Sequence, residues 1–122
     1  MKDIQFFARL SAVVPITFTG SFLLAISTGI LIAGHRPQPY IDPDPDAMNS
    51  ILLYFFLTVH FVCLFISLFA IPGWILLLLH LFINRVAFNK KDVRVHLIAI
   101  MCVCIYLTFF IVWRSPLEWL YD

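Results

Sequence analysis

The sequence predicts an all-α integral membrane bundle of three transmembrane helices. Three observations point to it. Hydrophobic residues make up 62% of the chain and charged residues only 12%, about half the charged share of a soluble domain. The apolar residues fall into three long runs, each able to cross roughly 30 Å of hydrocarbon. The charged residues gather at the ends of these runs. There is too little polar side chain to coat a water-facing surface, so lipid is the expected solvent and the chain reads as one membrane domain. A net charge of +1 gives no basic surface for nucleic acid.

The first span is expected at about residues 10–33. Its apolar run exceeds the roughly 7–15 residues of a signal-peptide core and no small-x-small cleavage site follows, so it reads as an uncleaved span. Pro15 falls in its first turns, where proline costs least. Thr17, Gly20, Ser21, Ser27 and Thr28 recur near one face. Small and hydroxyl residues let helices approach closely in lipid, so this face is expected to pack on another helix.

Residues 34–47 hold four prolines and the run Asp42-Pro43-Asp44-Pro45-Asp46. They read as an extended outer loop. The aspartates could form a cation site, but the loop lacks the glycine turn and terminal glutamate of a calcium loop.

Residues 51–84 carry no formal charge. As one helix they would measure about 50 Å, more than one perpendicular crossing. Pro72-Gly73 in the middle is either a turn or a kink. A turn would make a hairpin whose second arm meets Arg85 after half a crossing, at roughly 2.5–3.5 kcal/mol for that charge in the bilayer. A kink buries no charge. With three spans, Lys2, Arg9, Arg85, Lys90, Lys91 and Arg94 lie on one side and Arg36 and Arg114 on the other. That asymmetry follows the positive-inside rule. The second span is therefore expected as one helix kinked at Pro72, crossing at about 60–84. Residues 48–59, with Ser50, Tyr54 and Thr58 in a narrow polar stripe, are expected as an interfacial or protruding extension. An inner basic loop follows at 85–94, a third span at about 95–113 and a tail at 114–122.

The chain contains no Ser–His–Asp pattern, HExxH or glycine-rich phosphate loop, and no acid is expected within a span. It reads as no enzyme by itself. The three cysteines, Cys63, Cys102 and Cys104, read as packing residues. The candidate cofactor-binding residues are His80, His96, Arg9 and Trp74. His80 and His96 are expected near the basic end of neighbouring spans. They read either as a haem ligand pair or quinone donor, or as ordinary interfacial histidines. His60 is expected near the opposite surface. Trp74, unlike Trp113 and Trp119, falls far from the interfaces tryptophan prefers. Its N–H would serve the backbone near Pro72, a neighbouring subunit or a cofactor.

The layout resembles the small three-span membrane-anchor subunits of succinate dehydrogenase and fumarate reductase. The hydrophobic subunit of that family opens its first span with Arg-x-Thr-Ala, similar to Arg9-Leu10-Ser11-Ala12 here. Its second span carries His-Ala-Trp, where this chain has Pro72-Gly73-Trp74, and its third span ends in a tryptophan, here Trp113. The resemblance implies a cytoplasmic N-terminus and Arg9 beside a haem propionate or quinone head group. This chain departs from the family at Pro72, which stands where the haem-ligating histidine would be.

The expected role is thus a non-catalytic subunit of a larger respiratory-type, energy-transducing complex in the bacterial cytoplasmic or mitochondrial inner membrane. Its expected partners are other integral membrane subunits and the lipid bilayer, with bound lipid and either haem b or quinone as candidate ligands. The alternative is a self-associating, holin-like pore whose hydroxyl face lines a channel.

The charge asymmetry generates a topology prediction. Single cysteines replacing Asp44 and Lys91, in a background without native cysteines, should react with an impermeant reagent from opposite sides of the membrane. Reaction from one side would restore the hairpin.

Overall fold

The computed structural model describes residues 2–121. The chain is all helical in this range: α1 (Lys2–Ala33), a 3-10 turn (Pro45–Met48), α2 (Ile51–Ile83), α3 (Lys90–Ile111) and α4 (Arg114–Tyr121). The helices α1, α2 and α3 are long and apolar enough to cross a membrane, and they are the three expected spans. Below, the basic end is the one holding the N-termini of α1 and α3; the far end holds the Pro-rich loop and α4.

Helix ends explain the shifted boundaries. Asn89 caps α3, its side chain accepting from the Asp92 N–H at 2.8 Å, so α3 begins five residues before the expected span. Ser50 caps α2 in the same way, accepting from Leu53 N–H at 3.2 Å. Such caps satisfy N–H groups that the first turn leaves unpaired. Gly34, at φ 74°, ends α1 in the left-handed conformation that glycine adopts most cheaply. Arg85 (φ 51°) does so after α2, with Val86 N–H bonding back to Leu81 C=O at 3.0 Å.

The Pro72-Gly73 dipeptide lies inside α2, which runs 33 residues without interruption. It is no turn. Residues 51–59 do not form a separate element; they are the first turns of α2, and Leu53 and Leu57 are buried against α1 and α4. The surplus length is matched rather than stranded, because α1 is 32 residues long. Its first turns, residues 2–9, were expected to be flank. As a result Pro15 sits well inside a helix, buried in the packing face.

That packing face is a seven-residue repeat. Ala8, Ala12, Pro15, Thr19, Phe22, Ile26 and Gly29 are all buried on α1. On α2, Leu53, Leu57, His60, Ser67, Trp74 and Leu81 are buried, with Leu64, Ile71 and Leu78 partly so between them. On α3 the same alternation of four and three runs through Asp92, His96 and Ala99 to Val103 and Tyr106. A strict heptad seam is the signature of left-handed helix packing. α1 carries a second buried row, Phe18, Ser21, Ala25 and Thr28, because both other helices lie along it. The backbones of α2 and α3 stay apart.

The expected small-residue face is corrected by this seam. Ser21 and Thr28 are buried, but Thr17 and Ser27 are exposed. At 100° per residue Gly20 and Ser27 fall roughly opposite the seam. A Cβ on Gly20 would meet nothing within 4 Å. The close approach is at Gly29, where a Cβ would lie 2.5 and 2.8 Å from two ring carbons of Trp119.

The Pro-rich segment is more than a connector. Pro37 and Pro45 are buried, and the Trp119 indole N–H donates to Pro43 C=O at 3.0 Å. Asp42 accepts from Gln38 N–H at 2.7 Å and faces His35 Nε2 at 3.2 Å. It is thus engaged within the loop. Asp44 makes no side-chain cap bond, and the side chain of Asp46 lies outside the described residues. Residues 114–121, expected as a tail, form the helix α4. Those residues bury Pro116, Leu117, Trp119 and Leu120 while exposing Arg114 and Glu118.

Enlarging Gly29 to Val should therefore displace Trp119 and destabilise the bundle by about 1–3 kcal/mol, the usual cost of overpacking. Gly20→Ala should change stability by less than about 0.5 kcal/mol. Unfolding in mixed micelles, followed by tryptophan fluorescence, separates the two.

Candidate functional site

Two polar clusters lie between the helices. The one at the basic end contains three of the four candidate residues. Arg9, on α1, places Nε 3.1 Å from Oδ1 of Asp92, on the first turn of α3. The Asp92 side chain is 2% exposed and the Arg9 side chain 44%. Oδ1 has no hydrogen-bond partner, so the contact is ionic rather than a directed N–H···O bond. Asp92 was missed at sequence level because the third span was expected to start after it. One turn further along α3, His96 accepts from the Trp74 indole N–H at 3.1 Å. Trp74 is packed between Ala12 of α1 and Ala99 of α3, all three buried. Two alanines make room for the largest side chain. This settles where the Trp74 N–H goes: to His96, not to the backbone near Pro72.

The direction of that bond fixes the chemistry of His96. An indole N–H can only donate, so Nδ1 of His96 must be the acceptor. The neutral imidazole then carries its proton on Nε2. No other residue pairs with Nε2 among the described residues. His96 is 7% exposed and lines a cavity of about 270 Å³ with Leu78, Phe82, Phe88, Val93 and Ile100. The wall of this cavity is wholly apolar, so His96 meets it through ring carbons rather than through Nε2.

His80 does not join it. It is exposed on α2, and its contacts are with Asn84, whose Nδ2 donates to His80 C=O at 2.7 Å and lies 3.4 Å from its Nε2. The expected meeting of His80 and His96 does not occur, because position 80 lies off the seam that carries Trp74, Leu78 and Leu81. The described residues hold no group of three or more histidines, cysteines or acids placed to bind a metal.

The second cluster centres on His60, which is fully buried rather than interfacial. Its Nδ1–H donates to Phe18 C=O at 3.2 Å, with Ser21 Oγ at 3.4 Å, and its ring stacks on Phe18 at 4.7 Å. Since Nδ1 holds the proton, Nε2 accepts from the Tyr121 hydroxyl. Tyr121 in turn pairs with the Tyr106 hydroxyl at 2.9 Å. Burial, and Tyr106 beside it, push the Tyr121 phenol well above its ordinary pKa, so it remains a donor. This chain of bonds ties α1, α2, α3 and α4 together. Its sequence signal was the heptad position of His60, seven residues before Ser67 and fourteen before Trp74.

Compared with known proteins, the chain matches no protein family, no curated protein and no solved structure.

Removing Arg9 leaves the Asp92 carboxylate buried without a counter-charge. Arg9→Ala should destabilise the bundle by about 1–3 kcal/mol, less than for a wholly buried pair because the guanidinium is partly solvated. Adding Asp92→Asn should restore most of that loss. If the double variant is no more stable than Arg9→Ala, the ionic contact is not what Arg9 contributes.

Proposed function

We propose that this chain is a non-catalytic subunit of a larger, respiratory-type membrane complex, with its basic end on the cytoplasmic or matrix side. One observation carries the reading: the intramembrane polar groups are used to hold the helices in place. Thr17, Ser21, Thr28, Ser67 and Thr108 bond carbonyls of their own helices. Thr19 bonds Cys102 C=O across to α3 at 3.0 Å. His60, Trp74, Arg9 and Asp92 make the cross-links described above. The self-associating pore needs hydroxyls facing a channel, whereas Thr19, Ser21, Thr28 and Ser67 are buried between the helices of this chain. The outer faces of α2 and α3 are bare and apolar, including Phe65, Phe69 and Phe82, and are suited to neighbouring integral subunits or lipid.

The resemblance to the anchor subunits supports the respiratory assignment through Arg9 at the basic end and the buried Trp74. The donor set does not fit haem. Iron needs a nitrogen lone pair, and the histidine of this cluster does not offer one: His96 Nδ1 takes the Trp74 proton bond while Nε2 is protonated, and His80, exposed on α2, is no part of the cluster. Haem in such a complex would be ligated by partner chains. A carbonyl oxygen, whether of a quinone or of a lipid ester, fits the Nε2–H donor.

Purification from native membranes in mild detergent, with mass spectrometry of co-migrating chains, tests the subunit reading. A reproducible set of redox subunits in fixed ratio is expected. Migration only as a homo-oligomer would favour the pore.

A further inference from the structure

We infer that His35 and Asp42 form a proton-dependent clasp on the loop at the far end. With the imidazole charged the loop is held closed and seats α4; loss of that proton loosens it. The inference does not depend on which complex the chain joins.

Both ring nitrogens of His35 face oxygen. Nδ1 lies 3.1 Å from the C=O of Arg36, and Nε2 lies 3.2 Å from Oδ1 of Asp42. A carbonyl and an ionised carboxylate can only accept, and a neutral imidazole carries a single N–H. Either neutral tautomer therefore sets a nitrogen lone pair against an oxygen. Only the imidazolium serves both contacts. The Asp42 side chain is 10% exposed, so its charge is largely withdrawn from water, and its other carboxylate oxygen accepts from Gln38 N–H at 2.7 Å. Among the described residues the remaining charged groups at this end are Arg36, Asp44, Arg114 and Glu118. All four are exposed and none stands in an ion pair; the Arg36 guanidinium lies over the Trp113 ring, 6.0 Å from its centroid. Asp42 is thus the counter-charge of His35.

The turn that this pair closes is strained. Tyr40 stands at φ 63°, the left-handed region that a bulky side chain disfavours. Its ring is exposed, so the turn is held by Asp42 instead, whose N–H donates to Gln38 C=O at 3.1 Å and whose carboxylate takes the Gln38 N–H. The residues flanking the turn seat α4. Pro37 C=O accepts from the Ser115 hydroxyl at 3.5 Å, and Pro43 C=O from the Trp119 indole N–H at 3.0 Å. Opening the turn separates these two seats. The contact favours the charged ring, so its contribution is present in acid and is lost as pH rises through about 5–8, the range over which histidine gives up its proton.

Chymotrypsin cleavage after Tyr40, on the full chain in mixed micelles, tests this. Comparing variants at one pH cancels the response of the protease itself. At about pH 5.5 the unaltered chain should be cut about two- to fivefold more slowly than His35→Gln, the population change that a partly exposed ion pair supports. At about pH 8.5 the two should be cut alike. Asp42→Asn should lose the protection in acid, because its amide offers no charge to the imidazolium. By NMR, the Trp119 indole N–H resonance should move over the same pH interval as the His35 ring, and should stay in place in His35→Gln. Equal cleavage of the unaltered chain and His35→Gln in acid overturns the inference. So does acid protection that survives in Asp42→Asn, or a Trp119 resonance that ignores the His35 titration.

Discussion

Lipid tails are as apolar as leucine, so burying leucine between helices gains almost nothing in a bilayer. Association must come from close packing and interhelical hydrogen bonds. This constraint explains why α1, of the three long helices, is the most buried. It supplies the alanines, Gly29 and hydroxyls that let the others approach. α2 and α3 are nearly all apolar and could not hold each other by that means. Each lies along α1 instead, and the cleft between them follows.

Within that arrangement the polar contacts act as fixed points at different depths. Arg9–Asp92 and Trp74–His96 hold α1, α2 and α3 in register near the basic end. Thr19 to Cys102 C=O holds α1 to α3 near the middle, and the His60 cluster does so toward the far end. Interhelical hydrogen bonds in membranes average about 0.6 kcal/mol each, so no single one fixes the fold. Their value lies in register. A helix sliding by one turn would separate Trp74 from His96 and bury Asp92 away from Arg9 at the same time.

Class and span number were legible in the sequence because they depend on bulk hydropathy and on where Arg85 and the lysines fall. The uninterrupted α2 followed from charge placement at Arg85, despite the turn-like Pro72-Gly73. Packing faces were harder. On α2 nearly every residue is apolar, so hydropathy points to no face. The face was marked instead by the unusual residues His60, Ser67 and Trp74 at seven-residue intervals. On α1 the small-residue count favoured Gly20, which faces away, over Gly29, because the partner of Gly29 is Trp119, ninety residues later. Of the candidate site, Arg9, Trp74 and His96 came together, while Asp92, which links Arg9 to α3, was hidden by a cap at Asn89 that starts the helix early.

The unequal lengths of the helices account for α4. At 22 residues, α3 measures about 33 Å, close to the hydrocarbon thickness, whereas α1 and α2 each reach about 48–50 Å. Phe22 meets Tyr106 and Phe109 of α3, but toward the far end α1 and α2 still present Ile26, Leu53 and Leu57, which α3 alone does not cover. α4 turns back over these residues, and Leu117, Trp119 and Leu120 complete their cluster. In doing so it brings Tyr121 down to His60, whose ring would otherwise keep an unpaired nitrogen at depth. That short helix closes the far end of the space between α2 and α3, while a cavity of about 410 Å³ walled by Leu64, Ile71, Val103 and Leu107 remains between them nearer mid-depth.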